Sequence, residues 1–131
     1  MNFGREIVVV SFTPVVIVLV AISIVGAIAI PFGDPQFLDR AIALELAFIT
    51  LAVMIYKGFS RALYACIPIG IIVMVGNSLA SPHVEMMTTF SKPFNAVMLI
   101  IGGYVLQAAL IGTSILGLVR TRQGIVQNQK N

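Results

Sequence analysis

Charged residues are scarce in this chain, which has 131 residues of which 8 are Lys or Arg and 5 are Asp or Glu. These four residue types make up 10% of the sequence, whereas a soluble domain usually carries about 25%. Apolar residues reach 59%, and the mean hydropathy is +1.04. The composition excludes an ordinary water-soluble globule and indicates a small membrane protein of one domain.

Cysteine and histidine are also rare, with Cys66 and His83 the single examples of each. An internal disulfide is therefore impossible, and a zinc or copper site made by this chain alone would lack the several Cys or His ligands that such sites recruit. The sequence has no Gly-rich phosphate loop, no Ser-His-Asp set and no run of basic residues that would bind nucleic acid. We therefore expect no catalytic residue, metal site or cofactor on this chain by itself, and no nucleic-acid partner.

Four apolar runs, separated by short polar breaks, organise the sequence at 7–31, 41–56, 62–80 and 94–119, and the second extends to a span of about 35–57. A helix needs about 20 residues to cross about 30 Å of hydrocarbon, and the second run becomes long enough if Asp34 caps its helix and Pro35 opens it. Strands would leave backbone groups unpaired in lipid, and four strands cannot close a barrel. The runs predict an all-α polytopic membrane protein in which residues 1–131 form four transmembrane helices in two antiparallel hairpins.

Positive charge predicts the orientation, because Lys and Arg concentrate on the cytoplasmic side of a membrane. The termini and the 57–61 loop carry Arg5, Lys57, Arg61, Arg120, Arg122 and Lys130, whereas the opposite side carries Arg40 and Lys92. We therefore expect both termini in the cytoplasm, a multi-pass protein of the cell membrane, and a polar cytoplasmic tail at 120–131. The first run is longer than the ~7–15-residue core of a secretory signal, so we expect it to be retained. A short helix near 82–90 is expected on the outer membrane surface.

Glu45 is the one acidic residue inside the apolar runs. A charge in hydrocarbon is costly, so such a residue usually faces a partner, a cavity or a pathway. It can serve as a proton or cation site or as a hydrogen-bonding group between subunits; alternatively it is protonated, or it reaches the outer headgroups. The candidate intramembrane polar or partner site comprises Glu45, Asn77, Ser78 and Gln107. Just outside the membrane, the candidate residues are His83 and Glu85, which with Glu45, Asn77 and Ser78 would form an outer polar cluster.

The fourth run carries small residues at helical spacing, with Ala108 and Gly112 four residues apart. Small residues let helix backbones approach closely in a membrane. We predict a helix-docking face at Ala108 and Gly112, with Gln107 beside it, that binds another integral membrane subunit. The alternative is that these residues pack within the chain.

Small multidrug resistance exporters are four-helix proteins of similar size, and they use a membrane glutamate for proton exchange. This sequence departs from them because its candidate, Glu45, is in the second run, and because the Trp expected beside their substrate path is absent. A carrier that uses Glu45 for protons or cations is therefore the alternative function and not the first.

The stretch Ser81–Met87 (SPHVEMM), followed by Phe90–Pro93 (FSKP) and Gly102–Tyr104 (GGY), resembles a small accessory membrane subunit associated with archaeal ammonia monooxygenase. The resemblance implies a copper-dependent oxidoreductase complex whose metal ligands belong to the larger subunits. It assigns no catalytic residue to this chain. Together with the lack of a self-contained active site, it predicts a non-catalytic accessory subunit whose partners are the lipid bilayer and other integral membrane subunits.

Overall fold

A computed structural model describes the backbone of residues 2–33 and 35–130, and the side chains of 13–33, 35–120 and 122. Its regular elements are all helical, and no strand occurs within these ranges, as the apolar runs predict. The α-helices are α1 (Asn2–Ala29), α2 (Leu38–Tyr56), α3 (Ala62–Leu79), α4 (Ser81–Thr89), α5 (Pro93–Ile100) and α6 (Leu106–Lys130).

Short irregular helical pieces join several of these helices. Two 3₁₀ turns, Ile30–Phe32 and Pro35–Phe37, connect α1 to α2, and a π-helical segment, Ile101–Val105, makes α5 and α6 one continuous helical rod. Proline stands in the first turn of α4 and of α5, where its missing N–H costs no helical hydrogen bond. The N-cap predicted at Asp34 lies outside the described residues.

Three helical stretches are long and apolar enough to cross a membrane on their own, namely Thr13–Phe32, Ala62–Leu79 and Pro93–Arg120. The sequence predicts a fourth in α2, which has 19 residues. Helix α2 differs from the other three because it contains Asp39, Arg40 and Glu45, which lower its hydropathy. Length and composition therefore support three candidate spans within the described residues.

Helix α1 packs against both α2 and α6, and α3 packs against α6. Helices α2 and α3 contact each other much less, and an open groove lined by Leu46, Ala47, Ala65 and Pro68 separates them. The largest fully buried apolar side chains come from all four long helices: Val15, Leu19, Ile55, Leu63, Cys66 and Leu110.

The outward faces of the long helices are as apolar as the core. Side chains such as Ile17, Ile72 and Leu79 are 62%, 64% and 78% exposed. A soluble monomer rarely exposes so much contiguous apolar surface, because water would make it aggregate. Contact with the acyl chains of a bilayer removes that cost, so the surface is compatible with a membrane protein.

The polar segment at 120–131, which the sequence predicts as a cytoplasmic tail, continues the last long helix as far as the described residues extend. Helix α6 continues without interruption to Lys130. No proline follows Arg120, and arginine and glutamine, which recur there, are good helix formers.

Candidate functional site

A cavity of about 430 Å³ lies at the end of the bundle where α1 ends and α2 begins. Helices α1 to α5 and the π-helical segment all contribute to its wall, which is largely apolar. Cavities of about 300–1,000 Å³ are typical of small-molecule sites when a few polar groups converge on them. The polar side chains on this wall are Arg40, Glu45, Asn77, His83 and Asn95.

Glu45 lies against Gly26, which is near the end of α1. A Cβ added at Gly26 would collide with the Glu45 carboxylate oxygen Oε2, so the glycine makes room for the acid. The Glu45 side chain is partly buried, and within the described part of the chain it forms no ion pair or hydrogen bond. It is therefore a carboxyl group in an apolar wall that no described neighbour satisfies.

Asn77 and His83 form a second polar element of the cavity wall. The His83 Nδ1 atom lies 3.2 Å from the Asn77 Oδ1 atom. An amide oxygen only accepts, so the imidazole donates this hydrogen bond from Nδ1. The His83 ring also packs on Phe37, with 4.5 Å between ring centroids, and the Arg40 guanidinium lies 5.9 Å from the centroid of that same Phe37 ring.

The π-helical segment shapes the cavity wall beside Asn77. A Cβ at Gly103 would collide with the Asn77 amide nitrogen, so the glycine allows the amide to lie against the helix backbone. The preceding residue, Gly102, also lines the cavity, and its carbonyl accepts a hydrogen bond of 3.1 Å from the Gln107 side-chain amide. A π-helix shifts the backbone bonding pattern, and such segments occur frequently at functional sites.

Asn95 lies on the cavity wall near the 3₁₀ turn that follows α1. Its side-chain amide donates a 2.7 Å hydrogen bond to the backbone carbonyl of Phe32. Next to this bond, Phe32 and Phe94 pack edge to face, with ring centroids 5.2 Å apart. These contacts hold the start of α5 against the end of α1, so the wall is tied together on that side.

The structure divides the outer polar cluster that the sequence predicts. Glu45, Asn77 and His83 line one cavity, but Ser78 and Glu85 do not. The Ser78 hydroxyl lies 2.9 Å from the Tyr104 hydroxyl, on an exposed surface. Glu85 is exposed on α4. Adjacent residues of a helix point about 100° apart, so Ser78 cannot share the direction of Asn77.

The sequence predicts Gln107 beside the face formed by Ala108 and Gly112. In the structure, Gln107 instead lies inside the bundle. It is 1% exposed, and its Oε1 atom is buried without a hydrogen-bond partner among the described residues. Ala108 and Gly112 are both exposed, and a Cβ added at Gly112 would meet no atom within 4 Å. The small-residue face therefore points away from the chain's own helices.

Gly26 and Asn95 are site residues that sequence reasoning does not single out. A glycine within a helix lowers helix stability by about 0.5–1 kcal/mol relative to alanine, so its presence in α1 is a signal of close approach by another group. That signal does not identify the group, because Glu45 is 19 residues away and the relative rotation of α1 and α2 is not encoded locally. Asn95 carries no comparable signal.

Within the described part of the chain, no three His, Cys, Asp or Glu side chains come together as a metal-binding group. Comparison with known proteins gives no match, whether to a protein-family model, to a curated protein or to a solved structure.

Proposed function

We propose that this chain is a non-catalytic accessory subunit of a multi-subunit membrane enzyme complex. The observation that carries the proposal is the outward face of Ala108 and Gly112 on α6, which no described side chain of the other helices covers. Lipid is as apolar as leucine, so helices associate in a membrane by close packing and hydrogen bonds, and small residues permit that packing. A second membrane helix can approach α6 closely at Gly112.

The proposed topology has α2 as the fourth span, so that the spans form two antiparallel hairpins. The close packing of α1 on α2 and of α3 on α6 supports this pairing. Both termini would be cytoplasmic in the cell membrane, in agreement with the Lys and Arg distribution. Helix α4 would then lie on the outer surface.

The proposed complex is a copper-dependent ammonia monooxygenase of the archaeal type. The stretches within 81–104 resemble an accessory subunit of that complex. In that complex copper would be held by the larger subunits, since this chain has one His and one Cys to offer. Of the resembling stretches, SPHVEMM lies on α4 and GGY lies on the π-helical segment. The Asn77 amide lies between these two stretches.

The experiment adds bulk to the outward face and measures association. Tagged wild type and Gly112→Leu would be expressed at equal level in the native membrane, extracted in a mild detergent and purified by the tag. We expect wild type to retain other integral membrane chains and Gly112→Leu to lose most of them, because the leucine blocks backbone approach.

The matched control is Ala27→Leu, which adds bulk at an exposed position of α1 outside the cavity wall. Ala27→Leu should retain the same chains as wild type. Equal retention by Gly112→Leu and by wild type would show that the α6 face does not dock to a partner.

The cavity favours a second candidate function, a small carrier that exchanges protons or cations at Glu45. This function requires flux from the chain alone. Wild type reconstituted in vesicles would then dissipate a pH gradient, and Glu45→Gln would abolish that flux while leaving the helical circular dichroism spectrum unchanged. Absence of flux from wild type would remove this candidate.

A further inference from the structure

Glu45 is a carboxyl group on the cavity wall that has no hydrogen-bond partner among the described residues. An ionised carboxylate has acceptor oxygens only, and burying it beside apolar groups is costly unless a donor or a cation satisfies it. Its described neighbours supply none: the Oε2 atom lies against the backbone of Gly26, and the rest of the nearby wall includes Ile22, Leu44 and Phe48.

The other polar groups on the wall are engaged elsewhere. Among the described contacts, the Arg40 guanidinium lies over the Phe37 ring, and the His83 imidazole bonds to Asn77 and packs on that same ring. The Asn95 amide donates to the Phe32 carbonyl. Among the described contacts, none of these groups is bonded to Glu45.

We propose that the cavity binds an organic ammonium ion with an apolar body. The ammonium group would donate its hydrogen bonds to the Glu45 carboxylate, and the hydrocarbon would pack on Ile22, Phe48, Val73 and Met98, which line the same space. A charge-assisted hydrogen bond of this kind is about twice as strong as a neutral one. The apolar wall supplies the remaining contacts.

The chemistry of the wall fits the other simple ligand classes less well. A calcium or magnesium ion takes about six or more oxygen ligands, and the side chains of this wall that supply such oxygens are one carboxylate and two amides. An anion would be repelled by ionised Glu45. A neutral hydrocarbon would fill the space and leave the carboxylate unsatisfied.

This inference goes beyond the accessory function and does not depend on it, because binding uses the cavity and docking uses the outward face of α6. The test is retention of radiolabelled hexylammonium by the purified, immobilised full-length chain in a non-ionic detergent at neutral pH. Wild type, Glu45→Gln and Glu85→Gln would be compared, with hexanol as the uncharged competitor. Glu85→Gln makes the same chemical change outside the cavity, so it corrects for partition of the amine into the micelle.

We expect saturable retention by wild type and by Glu85→Gln, and affinity lower by about tenfold or more in Glu45→Gln, the effect of losing one hydrogen bond to a charged group. Hexanol should compete poorly. No saturable retention by wild type, equal retention by Glu45→Gln, or equal competition by hexanol would each overturn the proposal.

A second variant keeps the test decisive if Glu45→Gln does not fold. Gly26→Ala retains the carboxylate but places a methyl group where Oε2 lies, so Glu45 must rotate away and binding should weaken. Its control is Ala27→Val, which adds bulk at the adjacent, exposed position of α1 outside the cavity wall and should bind as wild type does. Equal binding by a folded Gly26→Ala would contradict the geometry proposed here.

Discussion

The close approach of α3 and α6 makes Gly70→Ala a sensitive test of the bundle. Gly70 is buried in α3, and an added Cβ would lie 2.9 Å from Ile111 Cγ1 and 3.2 Å from Ile111 Cδ1. The backbone oxygen of Gln107 would be 3.4 Å away. Carbon atoms prefer separations of about 3.5–4.0 Å, so either Ile111 must leave its position or the two helices must separate by roughly half an ångström.

The expected cost follows from these two opposing effects. Overpacking a well-packed site costs about 1–3 kcal/mol. Replacing a helical glycine by alanine returns about 0.5–1 kcal/mol. We therefore expect Gly70→Ala to lower the free energy of unfolding by up to about 2.5 kcal/mol, and to lie about 1–3 kcal/mol below a glycine-to-alanine change that meets no neighbour.

The assay is reversible unfolding in mixed micelles of increasing SDS fraction, followed by far-ultraviolet circular dichroism. Gly112→Ala is the matched control, because it makes the same substitution in α6 where the methyl group meets no atom within 4 Å. It should leave stability unchanged or raise it by up to about 1 kcal/mol. If Gly70→Ala unfolds at the same SDS fraction as Gly112→Ala, α3 and α6 do not approach as closely as described.

Two further predictions concern topology and the interior of α6. In a Cys66-free protein in intact cells, a cysteine at Thr88 should react with an impermeant thiol reagent and one at Gln127 should not; labelling at Gln127 from outside would reverse the proposed orientation. Gln107→Leu should change the free energy of unfolding by no more than about 1 kcal/mol, because it removes one buried hydrogen bond and one unsatisfied oxygen together. It should leave co-purification with partners intact, and loss of partners would show that this side chain takes part in docking.

The helical elements could be predicted because their causes are local. Uninterrupted apolar length predicts helices in a membrane, and proline in the first turn marks the start of α4 and α5, which begin at Ser81 and Pro93. The short helix expected near 82–90 is α4. Helix α2 shows where this reasoning weakens, since it is apolar overall but carries three charged residues, Asp39, Arg40 and Glu45, within its 19 residues.

The direction in which each side chain points could not be predicted in the same way. In a soluble helix, the polar face identifies the outside, but here Ile17 and Leu19 are equally apolar and one faces outward while the other is buried. Gln107 and Ala108 are likewise adjacent, yet Gln107 is buried and Ala108 is exposed, and the sequence around them has no polar face that indicates the outside. The Glu45 contact with Gly26 depends on how α1 and α2 are rotated about their axes, which only their mutual packing sets.

The π-helical segment at Ile101–Val105 is likewise a consequence of packing. The sequence shows two small residues there, Gly102 and Gly103, which are compatible with close helix approach in several arrangements. The side chain of Asn77 lies against Gly103, and that of Gln107 bonds to the Gly102 carbonyl. The second contact joins residues five apart on one helical rod, but the first exists only once α3 is placed against this segment, so the shift in backbone bonding could not be predicted from the local sequence alone.

Native mass spectrometry of the protein, released from its own membranes in a mild detergent, tests the accessory function most directly. If the chain is an accessory subunit, we expect to detect an assembly in which this chain of 14.0 kDa is bound to larger integral membrane subunits. Collisional activation of that assembly should release the chain intact. Detection of the chain only by itself or as copies of itself, without other subunits, would contradict the proposed function.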